Sequence, residues 1–215
     1  MIKVFRDPDT IVNVNQNLLP FNPGENMFDP PPPHLRAYDY VKYGRVTKEL
    51  FDSYFKFAFV RNPWDRVVSE YKYRMHAHRY SFKNYLFEHF PRPSWSDQYC
   101  HVIPQYDFLY DANGKLLVDF VGRFENLKND FAYVCEKLNV EPKPLPHKNK
   151  STSIFNRRDN NLIQILRSIK HKFSINQRRN TFERYEDYYD NGCIDFVAAI
   201  YNNDIETFGY KFGEK

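Results

Sequence analysis

The apolar positions of this 215-residue chain change their spacing from segment to segment, and the changes mark its elements. Residues 1–33 have little periodicity and end in four consecutive prolines, Pro30 to Pro33, which must be extended because proline fixes φ and lacks an N–H. They read as an arm or long loop. From His34 onward, Leu35, Tyr38 and Val41 keep helical spacing and close on Gly44, predicting a helix with its stop signal. Tyr54 to Val60 is a short aromatic and aliphatic run with strand propensity. At Arg61-Asn62-Pro63 the pattern turns helical again, with Asn62 as cap, Pro63 at the first position and Val67, Val68, Tyr71 and Met75 as the apolar stripe. Lys115 to Phe124 predicts a second buried strand, and Asn126 caps a helix carrying Leu127, Phe131, Val134 and Leu138 on one face. The prolines at 142, 144 and 146 end that helix. After a polar stretch around Leu162 to Ile169, positions 194, 197, 198, 201, 205 and 208 predict one closing helix. Strands alternating with helices argue for an α/β domain with a parallel sheet.

Composition narrows the class. Phe, Tyr and Trp make up 18% of the chain, which excludes a disordered or low-complexity protein. The net charge of +4 suits an anionic ligand without requiring one, and acids and bases are interspersed rather than gathered in a stripe, so a nucleic-acid partner is not expected. The aromatics fall within strand and helix patterns, as core residues do. Three cysteines, Cys100, Cys135 and Cys193, stand far apart, which indicates neither a disulfide framework nor a zinc site and points to a reducing compartment. His76 and His78 lack a partner ligand at metal spacing, so no metal is expected. The longest apolar run, Phe196 to Tyr201, is too short to cross a bilayer, and the first residues carry no signal-peptide core.

The chemistry concentrates where the first strand meets its helix. A strand end delivers Arg61 to the edge of the sheet where ligands of open α/β folds bind, and the following helix points its positive end at the same place. Arg61 can hold a phosphate through charge-assisted hydrogen bonds, and the Ser69 hydroxyl can donate another. The bland reading pairs Arg61 with Asp65 and makes Ser69 a small packing residue. Arg123 is open to two readings as well, as a ligand contact or as an internal partner of Glu125.

The stretch Tyr54 to Tyr71, YFKFAFVRNPWDRVVSEY, resembles the 3'-phosphate-binding strand and helix of the sulfotransferases, in particular the carbohydrate and heparan 2-O branch. Three further blocks agree in order: Val118 to Leu127, Leu145 to Asn149, and Tyr185 to Asp190 with Asp204 to Phe212. The resemblance implies a three-layer, P-loop-NTPase-like α/β fold with a central parallel sheet, spanning 34–215, with 150–184 as a polar insertion. It implies transfer of a sulfuryl group from 3'-phosphoadenylyl sulfate (PAPS) to a hydroxyl, of a carbohydrate above all. Arg61 and Ser69 match the residues that hold the donor's 3'-phosphate, and Arg123 and Lys148 are further candidates for the donor. His34 stands where the 2-O branch carries its catalytic base. The in-line attack of a hydroxyl needs such a base.

One family signature is missing. The seven glycines stand singly, and Gly24, the only glycine before Gly44, lacks the Lys and Thr or Ser of a 5'-phosphosulfate loop. Two expectations follow: either the sheet lacks its first strand and loop because the chain starts downstream of them, which is preferred, or the protein is a nucleotide-binding remnant with impaired turnover. The compartment follows the same choice, cytoplasmic as the sequence stands and the Golgi lumen if an anchor precedes it.

Overall fold

In the computed structural model, which describes residues 34–94, 96–145 and 182–214, the two apolar runs meet. Phe57–Val60 (β1) pairs in parallel with Phe120–Arg123 (β2), Phe57 lying opposite Phe120 and Val60 opposite Arg123. Around them stand helices α1 (Asp39–Lys42), α2 (Lys48–Ser53), α3 (Pro63–Tyr73), α4 (Phe82–His89), α5 (Asp97–Cys100), α6 (Tyr106–Leu109), α7 (Leu127–Lys137), α8 (Asn191–Ile200) and α9 (Asn202–Phe208). The arm before His34, Lys148 and most of the polar insertion lie outside the described residues. Mixed helix and strand around a parallel pair agrees with the α/β expectation.

Both strands are shorter than the runs that predict them. The Asp119 carboxylate accepts the Lys56 N–H at 2.7 Å while the Lys56 carbonyl accepts from Asp119 and Phe120, a clasp that ends the ladder at its start. Leu116 and Leu117 turn away to pair with Tyr110 and Leu109 instead. Within β2, Gly122 is fixed by a close approach: a Cβ there would meet the Phe59 ring at 2.6 Å.

Helix α3 forms as its sequence predicts. The Asn62 side chain caps it by accepting from the Trp64 N–H, Pro63 opens it, and Trp64, Val67, Val68 and Tyr71 are buried. Met75 is a correction, because α3 has ended by then and Met75 is exposed with φ of 60°. Tyr71 packs on Phe82 and Tyr188, and Phe82 on Tyr189, so α3, α4 and the 3-10 turn Tyr185–Tyr188 share one aromatic core.

Three more predicted helices are revised. The one read from His34 to Gly44 contracts to α1, where Asp39 turns back to accept the Arg36 N–H, although Gly44 does stop it at φ of 60°. Asn126 sits at the N-cap of α7, but its side chain donates to Asp130 rather than accepting a helix N–H. The closing helix is two, α8 and α9, broken at Tyr201, which is fully buried and donates its hydroxyl to the Val102 carbonyl. All three cysteines are buried and free. Among the described residues no helix is long and apolar enough to cross a membrane.

Candidate functional site

The carboxyl end of β1 is held from several sides. Gln105 accepts the Arg61 N–H at 2.8 Å and donates its amide to the Arg61 carbonyl at 2.9 Å. Asp204, fully buried, holds Gln105 in turn: its carboxylate accepts from the Gln105 N–H, the Gln105 amide and the Tyr106 N–H. Glu125 accepts the Asn62 N–H at 2.6 Å and also takes the Tyr210 hydroxyl, while the Asn62 amide donates to the Lys211 carbonyl. A main chain clamped this way presents the Arg61 side chain in a preset direction. None of these partners is visible in sequence spacing.

Arg61 uses Nε on Asp65, at 2.7 Å, and lies over the exposed Phe124 ring, 4.6 Å from its centre. The ion pair foreseen as the bland alternative is therefore present. It occupies one edge of the guanidinium, and the terminal nitrogens have no hydrogen-bond partner among the described residues. Ser69 follows Asp65 at i+4 and Lys72 at i+7, so the three share a face of α3. The Ser69 hydroxyl, half-buried, likewise has no partner among the described residues. The Lys72 ammonium donates to the Phe182 carbonyl at 3.3 Å and stands over Tyr188. Burial lowers its pKa first, with Asp65 opposing and Arg61 adding to the shift, which puts all three charges within each other's field. The sequence reading missed Lys72, and its i+3 spacing from Ser69 is the signal that would have found it. One expectation changes: Pro63 has no N–H and that of Trp64 is taken by Asn62, so an anion here meets side chains more than the helix's free amides.

Arg66, on the next face, is spent. It donates to the Ile103 and His101 carbonyls, both at 2.8 Å, and stacks over Tyr201. Arg123 donates to the Phe208 carbonyl and lies over Tyr210, 4.8 Å from its centre. Its expected pairing with Glu125 is corrected, because Glu125 is engaged by Asn62 and Tyr210.

His34 lies beside the far end of α3, a helix of 11 residues and so about 16 Å long. Its Nε2 meets Asp97 at 3.2 Å and its ring centre is 4.9 Å from that of His101. Arg74 bridges Asp97, at 2.6 Å, and Glu70, at 2.9 Å, and Glu70 turns its other oxygen to His101 Nδ1 at 3.2 Å. Burial lowers the His34 pKa, and the Asp97 hydrogen bond works against it. Arg61, Ser69 and Lys72 are thus brought together, while His34 sits in a separate imidazole–carboxylate cluster.

A family model described as "Sulfotransferase family" matches residues 23–211. An uncharacterized protein of Archaeoglobus fulgidus is 42% identical over 97 residues, which are 45% of this chain and 77% of that protein. No solved structure matches at a significant level.

Proposed function

The chain belongs to the sulfotransferase family, and from that premise we propose that it moves a sulfuryl group from PAPS to a carbohydrate hydroxyl. The observation that carries the reading is the set of unspent donors at the carboxyl end of β1. The Arg61 terminal nitrogens and the Ser69 hydroxyl lie on the side where α3 also turns Lys72, and together they offer a phosphate charge-assisted hydrogen bonds. The 3'-phosphate of the donor is the proposed occupant. Arg123 acts beneath this site, since its guanidinium ties β2 to the end of α9. Lys148 is proposed as a further donor contact from its sequence context alone.

His34 is the proposed base. With Asp97 accepting from Nε2–H, Nδ1 is the basic nitrogen, and the carboxylate stabilises the imidazolium that forms. The acceptor oxygen bonds to sulfur, its proton goes to His34, and the bond from sulfur to the 5'-phosphate oxygen breaks, releasing adenosine 3',5'-bisphosphate. The two parallel strands are read as part of the three-layer P-loop-NTPase-like sheet. Buried free thiols favour a reducing compartment.

The test is transfer of labelled sulfate from PAPS to a panel of sugars, with Arg61→Ala and His34→Ala alongside. Loss of transfer in both variants is expected. Unchanged turnover in both would remove the assignment, and nucleotide binding without transfer in the parent chain would replace it with the remnant reading.

A further inference from the structure

The cluster at the far end of α3 has an arrangement that proton transfer does not use. One ligand atom from each of His34, Asp97 and His101 lies within 4.8 Å of the other two. Asp97 Oδ1 lies 3.2 Å from His34 Nε2 and 3.6 Å from His101 Nε2. Tetrahedral zinc with bonds of about 2.0–2.1 Å sets its ligand atoms roughly 3.3–3.4 Å apart, between those two values.

The surroundings supply a second and independent sign. A carboxylate only accepts, so the Glu70 contact puts the His101 proton on Nδ1. With that proton on Nδ1, His101 keeps an Nε2 lone pair for a metal, and Nε2 lies 3.6 Å from the carboxylate oxygen Asp97 Oδ1. A carboxylate on the other nitrogen is also how metal-ligating histidines are oriented. Arg74 occupies Asp97 Oδ2 and Glu70 Oε1, fixing both carboxylates while leaving the oxygens that face the imidazoles. Asp97 is 62% exposed, which leaves an approach from solvent and a coordination position for water.

We infer that His34, Asp97 and His101 form a binding site for one divalent metal ion of the zinc type, with Glu70 holding His101 in the ligating tautomer. Two imidazoles and a carboxylate suit zinc or cobalt over calcium or magnesium. Binding at Nε2 shifts the one ring proton of neutral His34 to Nδ1 by exchange with solvent, with no net proton released from the ring. It follows that metal silences His34 as a base. That consequence rests on the functional reading above, whereas the site does not.

The experiment is a titration of the chelator-treated chain with Co2+, without nucleotide, read by visible ligand-field absorption, followed by displacement with Zn2+. A saturable one-to-one band of tetrahedral intensity is expected. His101→Ala and Asp97→Ala are expected to weaken binding at least tenfold, and Glu70→Gln by about tenfold to a hundredfold. His78→Ala, outside the cluster, is expected to bind as the parent does. Circular dichroism of each variant checks that it is folded, and a folded His101→Ala that binds Co2+ as tightly as the parent overturns the site. So does absence of a saturable band in the parent. A chain that binds the metal but transfers no sulfate even when metal-free would count against the functional reading alone, and a chain that transfers sulfate but binds no metal would count against the site alone.

Discussion

Arg61 and Arg66 flank the same helix start, and their surroundings separate two kinds of arginine. Arg66 delivers both terminal nitrogens to backbone carbonyls and covers Tyr201, so its charge is consumed in holding the His101 to Ile103 loop against α3. Arg61 gives Nε to a neighbouring carboxylate and keeps the rest of its fork without partners among the described residues. The lesson concerns spent and unspent hydrogen bonding. A side chain whose terminal donors are matched within the fold stabilises it, while one that is held in place at its backbone and left unmatched at its tip is available to a ligand.

The largest expected effect breaks both halves of this comparison at once. Asp204→Ala removes the acceptor of three N–H donors, two of them buried, costing about 3 kcal/mol or more in urea unfolding, and it also frees Gln105 to release Arg61. Nucleotide affinity should fall with stability in that variant. Arg66→Ala should cost about 2–3 kcal/mol of stability for its two charge-assisted bonds, with affinity for adenosine 3',5'-bisphosphate changed by less than about threefold. Ser69→Ala is the converse. It should leave the unfolding curve in place and weaken that nucleotide about tenfold in calorimetry, the equivalent of one hydrogen bond to a charged group. The smallest effect is the sharpest for Arg61: Asp65→Asn removes its competitor and should tighten the nucleotide up to about fivefold, in line with the small worth of a partly exposed ion pair.

Local signals made one half of this legible from the amino-acid order. Strand propensity up to Val60, the capping Asn62 and the opening Pro63 act over neighbouring residues, and β1, α3 and the position of Arg61 follow from them. The clamp on Arg61 comes from Gln105, 44 residues on, and from Asp204, a further 99, and no periodicity encodes such pairings. Asp97 and His101 escaped notice for the same reason, since α5 is a four-residue turn too short to show a pattern. The break at Tyr201 was hidden because one stripe of apolar spacing runs through both α8 and α9, and the irregularity costs that stripe nothing. Arg123 shows the opposite failure, where a nearby Glu125 suggested a partner that distant groups had already engaged.

The central claim, that the unspent donors around Arg61 receive the donor's 3'-phosphate, is tested by calorimetry with adenosine 3',5'-bisphosphate and adenosine 5'-monophosphate side by side. The bisphosphate is expected to bind the parent chain more tightly, and Arg61→Ala to lose about a hundredfold for the bisphosphate while the monophosphate changes little. Equal affinity of the two nucleotides for the parent chain, or an Arg61→Ala variant that keeps the preference, would contradict it.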